Sequence, residues 1–456
     1  MSLFTIGNSG IQAARIGMNA TAMNIANVNT PGYSRQRAEQ SSIGPMGNQR
    51  LFSGSGVAVD GIRRMADQFR TEQVWRGTTE QSYYAQGQSY LGALEKMIGS
   101  DATGLGDGLD NLFKALSGAT EKPENQAMRQ DLLTEAKSLA MRFNNLQKFM
   151  QRQRSDIQQQ QQDIAGNINS LTGNIAQYNQ KISETEAAGG DTSVLRDQRD
   201  ELVKSLSEKV DIRINQNDKG EYQITLPSGQ PLVSGKDVGT ISIVPDASGE
   251  LNMSISFGGT AFNADLASGG QLGALHDYEI NTLAATEASV NGMAEAMATA
   301  FNDQLAKGFD LNGDAGKPLF VFDLSNPDGM LQMGDIAWDE LAFSSDPLAQ
   351  GNNENLLALI KIKTETYAIP GVGNSSLDNA SASLISTIGI QSRQNQTELS
   401  AATSLLQETI AQRDSYSAVD YDEEYVNLTS YTQAYQANMK VIATGDQIFS
   451  DLLALF

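Results

Sequence analysis

From Tyr421 to Phe456 the chain sets Tyr421, Tyr425, Leu428, Thr432, Tyr435, Met439, Ile442, Asp446, Phe449, Leu453 and Phe456 in alternating steps of four and three. Only Thr432 and Asp446 in that row are polar. Side chains three and four apart share one helix face, so the row reads as a coiled-coil seam. A straight helix of that length runs ~54 Å at 1.5 Å per residue, and its apolar stripe needs a partner. The other end of the chain offers one. Phe4, Gly7, Ile11, Ala14, Met18, Thr21, Ile25 and Val28 repeat the same spacing, with a small residue at every second position that lets another helix come close. The pattern predicts that the two ends pair and that the rest of the chain is carried on them. Gly7 and Gly17 each cost this helix about 1 kcal/mol relative to alanine, and its small residues bury little area alone. Both ends are therefore expected to be disordered in the monomer and to become helical on assembly, each depending on the other.

The N-terminal helix is stopped firmly. In "NIANVNTPGYSRQ" Pro31 disfavours helix at Thr30, and Gly32 readily takes positive φ. A second long helix is predicted over 128–182, where Ile157, Ile164, Ile168, Leu171, Ile175, Tyr178 and Ile182 keep gaps of seven, four and three. "AAGGDTS" breaks it, Asp191 or Ser193 is placed to cap the next helix, and "VLRDQRDELVKSLSEKV" resumes the helical pattern as an antiparallel mate. At Asp211 the period falls to two. Val210, Ile212 and Ile214, then Tyr222, Ile224 and Leu226, then Ile241 with Ile243, and Leu251, Met253, Ile255 and Phe257 alternate with polar residues, separated by turns at "NDKG", "PSGQ" and "DASG".

The predicted fold class is mainly α with an inserted antiparallel β domain. Its parts are a terminal coiled-coil domain (1–70 and 401–456), a helical-bundle stalk (71–210, 270–317 and 351–400), and a β-rich outer domain (211–269) at the far end of the stalk. Residues 318–350, with "LFVFD", either join that outer domain or stand apart.

The chemistry is mostly excluded. The 456 residues hold no cysteine and one histidine, His276, which removes thiolate nucleophiles, disulfides, His-containing triads and multi-His metal sites. His276, between Leu275 and Asp277, reads as a partly buried structural residue. "DLNGDAGKP" matches calcium-loop positions 1, 3 and 5 at Asp310, Asn312 and Asp314 but has Ala315 and Val321 where glycine and a bidentate glutamate belong. A turn closed by Asx hydrogen bonds is the expectation. No catalytic residues, metal or cofactor are predicted. No run of 18 apolar residues crosses a membrane, and no basic start followed by an apolar run forms a secretory signal. The net charge of −22 is uneven. Residues 211–350 carry −15, which repels nucleic acid, while residues 1–70 carry +4 and residues 401–456 carry −6, which favours their meeting.

With both seams, "ANVNTPGYSRQ", "DQRDELV", "GFDLNGDAGKPLF" and "DEEYVNLTSYTQAYQANMKVIATGDQIFSDLL" laid out, nearly the whole chain resembles the flagellar axial family of rod, hook and junction subunits. The first motif marks the wider family. "DQRDELV" after a Gly-rich loop, with "GFDLNGDAGKPLF", narrows the resemblance to its hook-associated members at the hook–filament junction. The resemblance implies a structural subunit, needed for filament assembly and exported through the flagellar type III apparatus without a cleaved signal peptide. It implies a ring on the hook tip, outside the cell, with other copies of itself, hook protein, hook-associated protein 3 and a cytoplasmic export chaperone as partners. Another axial subunit, or an adhesin displayed through the β domain, is the alternative. The expected assembly interface is Phe4, Ile11, Met18, Ile25, Asn27, Asn29, Thr30, Pro31, Gly32 and Tyr33. The expected C-terminal assembly and chaperone stripe is Tyr425, Leu428, Tyr435, Met439, Ile442, Phe449 and Leu453.

Overall fold

The computed structural model describes residues 3–44, 56–246 and 251–454. In chain order come α1 (Leu3–Ala26), β1 (Gln36–Ser42), β2 (Val57–Arg64), α2 (Gln68–Ile98), α3 (Leu105–Gly118), α4 (Gln126–Ala187) and α5 (Ser193–Lys209). The strands β3 (Arg213–Gln216), β4 (Tyr222–Thr225), β5 (Pro231–Ser234), β6 (Asp237–Val238), β7 (Thr240–Pro245), β8 (Leu251–Phe257) and β9 (Thr260–Ala264) follow. Next are α6 (Gly270–Tyr278), a π-helical turn at Glu279–Leu283, α7 (Ala284–Leu305), β10 (Phe320–Phe322), β11 (Leu331–Met333) and α8 (Glu354–Lys361). The chain ends with β12 (Tyr367–Ile369), β13 (Gly373–Ser375), α9 (Leu377–Ser417) and α10 (Tyr421–Leu453). Phe456 of the C-terminal row and most of the "DASG" turn lie outside the described residues.

Two compact units result: Met1–Gln81 with Ala165–Gly270 and Ala402–Phe456, and Ser82–Ile164 with Gln271–Ala401. In the first, α1 and α10 pack antiparallel, so both ends are helical and partnered within one chain rather than unformed as expected. Each helix supplies the surface the other lacks. The β1–β2 hairpin, paired from Gln36↔Arg64 to Ser42↔Val57, packs on α1. Its sequence is polar at most positions and gave no strand signal.

The long α4 buries Ile157, Ile164, Ile168, Ile175 and Ile182 as its spacing requires. Asp191 accepts the Ser193 amide at 3.0 Å and so starts α5. The β region forms two antiparallel sheets, β3-β4-β5-β6 and β7-β8-β9, with Ile214 opposite Ile224 and Ile241 opposite Ile255. Two asparagines of α4 hold them. The Asn179 side chain exchanges hydrogen bonds with both backbone groups of Tyr222 at 2.9 and 3.0 Å, and Asn169 does the same with Ile241 at 2.8 and 2.7 Å. Residues 211–269 lie in the same compact unit as the terminal helices.

The second unit is built around Phe113, Phe301 and Phe320, with ring centroids 5.9 and 5.8 Å apart. Residues 318–350 belong here, apart from the β3–β9 sheets. Asn302 fastens β10 through Leu319 and Phe320, and Asn144 fastens β11 through both backbone groups of Leu331. The buried Arg129 donates to the carbonyls of Trp338 and Leu341 at 3.1 and 2.7 Å, and burial pulls its pKa down to about 10. His276 is half-buried at the end of α6. Asp310 accepts the amides of Asn312 and Asp314 at 2.7 and 2.9 Å, closing the Asx turn.

Candidate assembly interface

The α1–α10 contact is made by absence of side chain on one helix and bulk on the other. A Cβ added at Gly17 would lie 2.5 Å from the Tyr431 ring, and one at Gly7 would lie 2.7 Å from Ile442. Gly10 meets Asn438 in the same way, and Gly445 of α10 returns the arrangement against Leu3 and Phe4. The buried face of α1 is Gly7, Ala13, Ala14, Gly17, Ala20, Thr21 and Asn24. The large members of the predicted seam, Ile11, Met18 and Ile25, flank this face half-buried, and Phe4 is exposed. Met18 accepts a hydrogen bond from Thr432 at 3.7 Å. On α10, Leu428, Tyr435 and Ile442 are half-buried, whereas Tyr425, Met439, Phe449 and Leu453 are exposed by 48–62%. The C-terminal row thus divides: one edge serves the intrachain pair and the other stays open.

After α1 the chain turns through Asn27–Tyr33. Asn27 caps back to the Met23 carbonyl at 2.9 Å, Thr30 donates to Asn27, and Gly32 adopts φ +76°. Asn29 and Pro31 are exposed. Asn24, at the last turn of α1, fixes the direction of exit: its side chain bonds the Gln36 backbone twice at 2.9 Å and accepts the Tyr33 hydroxyl at 2.9 Å. Burial pushes the Tyr33 phenol up to about 12, with Asp197 and Glu424 adding to the effect.

The role of "DQRDELV" is visible here. Asp197 accepts the Ser34 amide at 2.9 Å and pairs with Arg64 at 2.6 Å. Asp200 takes the other side of Arg64 at 2.6 Å and the Tyr222 hydroxyl at 2.8 Å. Arg199, fully buried, stacks 3.4 Å from the Tyr222 ring centroid and donates to Asn179 and to the Gly220 carbonyl. Three segments far apart in sequence, at Ser34, Arg64 and Tyr222, meet on one turn of α5. Burial lifts the Asp197 carboxyl and depresses the Arg199 guanidinium; burial also opposes the charge on Arg64, yet Asp200 and Asp197 hold its pKa above the ordinary value. A second lock joins the turn to α10. Arg35 pairs with Glu423 and Glu424, each at 2.7 Å, and its amide donates to the Ser417 carbonyl at 2.8 Å. Glu424 is 1% exposed, so this is a buried pair on one side. Asp420 caps α10 through the amides of Asp422 and Glu423. The arginine and its buried glutamate partner are 389 residues apart in sequence, and nothing local in either segment announces the pairing.

A family model for the flagellar hook-associated protein FlgK helical domain matches residues 91–320, just over half of the chain. The chain belongs to the flagellar hook-associated protein 1 (FlgK) family. Models for the flagella basal body rod protein and for the C-terminal region of the basal body rod FlgEFG proteins match residues 4–33 and 411–455, where α1 and α10 lie. Flagellar hook-associated protein 1 of Escherichia coli (strain K12) is 25% identical over 544 aligned positions, covering 99% of each chain. That span exceeds the 456 residues here, so the relative carries insertions. The protein of that name from Bacillus subtilis (strain 168) is 25% identical, covering 97% of this chain and 96% of its own. The structure of the flagellar hook junction protein FlgK from Burkholderia pseudomallei shares the fold, with a TM-score of 0.66 at 17% identity over 75% of this chain and 99% of that one. As a member of the FlgK family the chain is a structural subunit of the bacterial flagellum, not an enzyme, and it assembles with itself and with other flagellar components.

Proposed function

We propose that this subunit forms the junction between hook and filament, as a ring of identical copies seated on hook protein and followed by hook-associated protein 3. The observation that carries the reading is the α1–α10 pair locked to the DQRDELV turn, in a chain that aligns over nearly its whole length with hook-associated proteins. In this reading the terminal helices form the axial domain. Phe4, Ile11, Met18 and Ile25 flank the intrachain contact, the Asn27–Tyr33 turn redirects the chain, and the open edge of α10 meets neighbouring subunits. Before export, a cytoplasmic chaperone covers the same edge, because exposed Tyr425, Met439, Phe449 and Leu453 suit a helix-in-groove partner. Export proceeds through the flagellar type III apparatus without cleavage. The rod-protein matches at both ends favour a second axial role, as hook or rod subunit, but the 91–320 match speaks for the junction. Electron microscopy of a deletion strain tests the choice. Hooks without filaments are expected; normal filaments refute the junction role, and loss of the hook itself would assign a hook or rod subunit.

A further inference from the structure

We infer that the apolar groove beside the Thr30–Tyr33 turn receives the first turns of α10 from a second copy of this chain. The inference rests on the junction reading and names the contact that would close its ring. The groove holds about 710 Å³, walled by Met23, Pro31 and Tyr33 on one side and by Tyr178, Val194 and Leu202 on the other. Lys181 stands in its lining with its ammonium 5.4 Å from the Tyr178 ring and has no acidic partner among the described residues, whereas the two carboxylates that also line the groove are paired, Asp197 with Arg64 at 2.6 Å and Glu201 with Lys204 at 3.4 Å.

The start of α10 has the complementary features. Tyr421 and Tyr425, one helical turn apart, are 56% and 62% exposed, and Val426 beside them is 65% exposed. Large exposed apolar side chains grouped on neighbouring helical positions mark an interaction surface, and each tyrosine brings about 150–250 Å² to bury. Asp422 lies between them, exposed and with no basic partner among the described residues. An apolar pair carrying a carboxylate therefore matches an apolar groove carrying an ammonium.

Placement supports a second copy as the occupant. The groove is lined by Thr30–Tyr33, and the start of α10 is tied at 2.7 Å to Arg35, two residues beyond that turn. Both features border one turn, so copies related by rotation about an axis can bring the α10 start of one to the groove of the next. Such a head-to-tail contact closes into a ring when the rotation closes.

The absence of cysteine makes the test clean. Copies bearing Lys181→Cys and copies bearing Asp422→Cys are co-expressed, and isolated hook–filament junctions are oxidised with copper phenanthroline. A disulfide needs Cα atoms within about 7 Å, so a covalent dimer of one copy of each is expected, and junctions built from either variant alone should give none. Lys181 is exposed, so Lys181→Glu should fold normally yet enter junctions about tenfold less; adding Asp422→Lys should restore entry. Junctions that contain both cysteine variants without the mixed dimer, or Lys181→Glu entering at the wild-type level, overturn the inference and leave the junction role standing. Junctions lacking the wild-type chain refute the junction role first.

Discussion

Gly17→Ala sets two opposing effects against each other. In an unobstructed helix alanine stabilises by about 1 kcal/mol over glycine. At Gly17 the new Cβ would lie 2.5–2.7 Å from three ring carbons of Tyr431. Either the ring swings out of the contact or α1 and α10 part. Overpacking of this kind costs about 1–3 kcal/mol, so the net change is a loss of about 0–2 kcal/mol. Gly17→Val adds bulk and a β-branch and costs more. Gly166 and Gly173 in α4 supply the controls, because nothing lies within 4 Å of a Cβ added at either; alanine there should stabilise by about 1 kcal/mol. The full-length variants would be compared by urea unfolding under far-UV circular dichroism and by native-state hydrogen exchange. The expected order of stability is Gly173→Ala, wild type, Gly17→Ala, Gly17→Val, with exchange quickening in α1 and α10 together for the last two. Equal stabilisation at positions 17 and 173 would refute the small-residue contact.

Asp200→Asn weakens the hold on Arg64 and Tyr222 inside a buried network and should cost about 3–5 kcal/mol, read as a lower urea midpoint; an unchanged midpoint contradicts the network's role. Glu424→Gln leaves Arg35 with Glu423 alone and should cost about 1–3 kcal/mol, with faster exchange confined to the first turns of α10 and to residues 33–36. Substituting Ile11, Met18 and Ile25 together by Asp charges the flanks of the α1 contact. It should abolish incorporation into flagella while the second unit keeps its protection from exchange; motile cells would count against it. Deleting residues 420–456 should end co-purification with the export chaperone, and survival of that complex would place the chaperone site elsewhere.

Period alone revealed α4, α5, α10 and most of the β3–β9 strands, since their apolar residues repeat at the spacing of the face they bury. In α1 the small members of the spaced row, Gly7, Ala14 and Thr21, are the buried ones, joined by Gly17 beside them, while the large members Ile11, Met18 and Ile25 flank the contact. Period did not find the β1–β2 hairpin, where only Gln36 and Ala38 are buried among polar neighbours. The motif "DQRDELV" stood out as a pattern without a task. Its task depends on Ser34, Arg64 and Tyr222, and nothing local in a sequence says that those three arrive at one place. The same holds for Asn169 and Asn179, which look like polar interruptions of α4 until they are seen bonding the strand backbones at Ile241 and Tyr222.

The most direct test is cryo-electron microscopy of the native hook–filament junction, resolved well enough to trace helices. The prediction is one closed ring of this chain between hook and filament, with α1 and α10 of each copy paired at the axis as they are within the single chain. A ring whose terminal helices lie on the outer surface, or a junction from which this chain is missing, would contradict it.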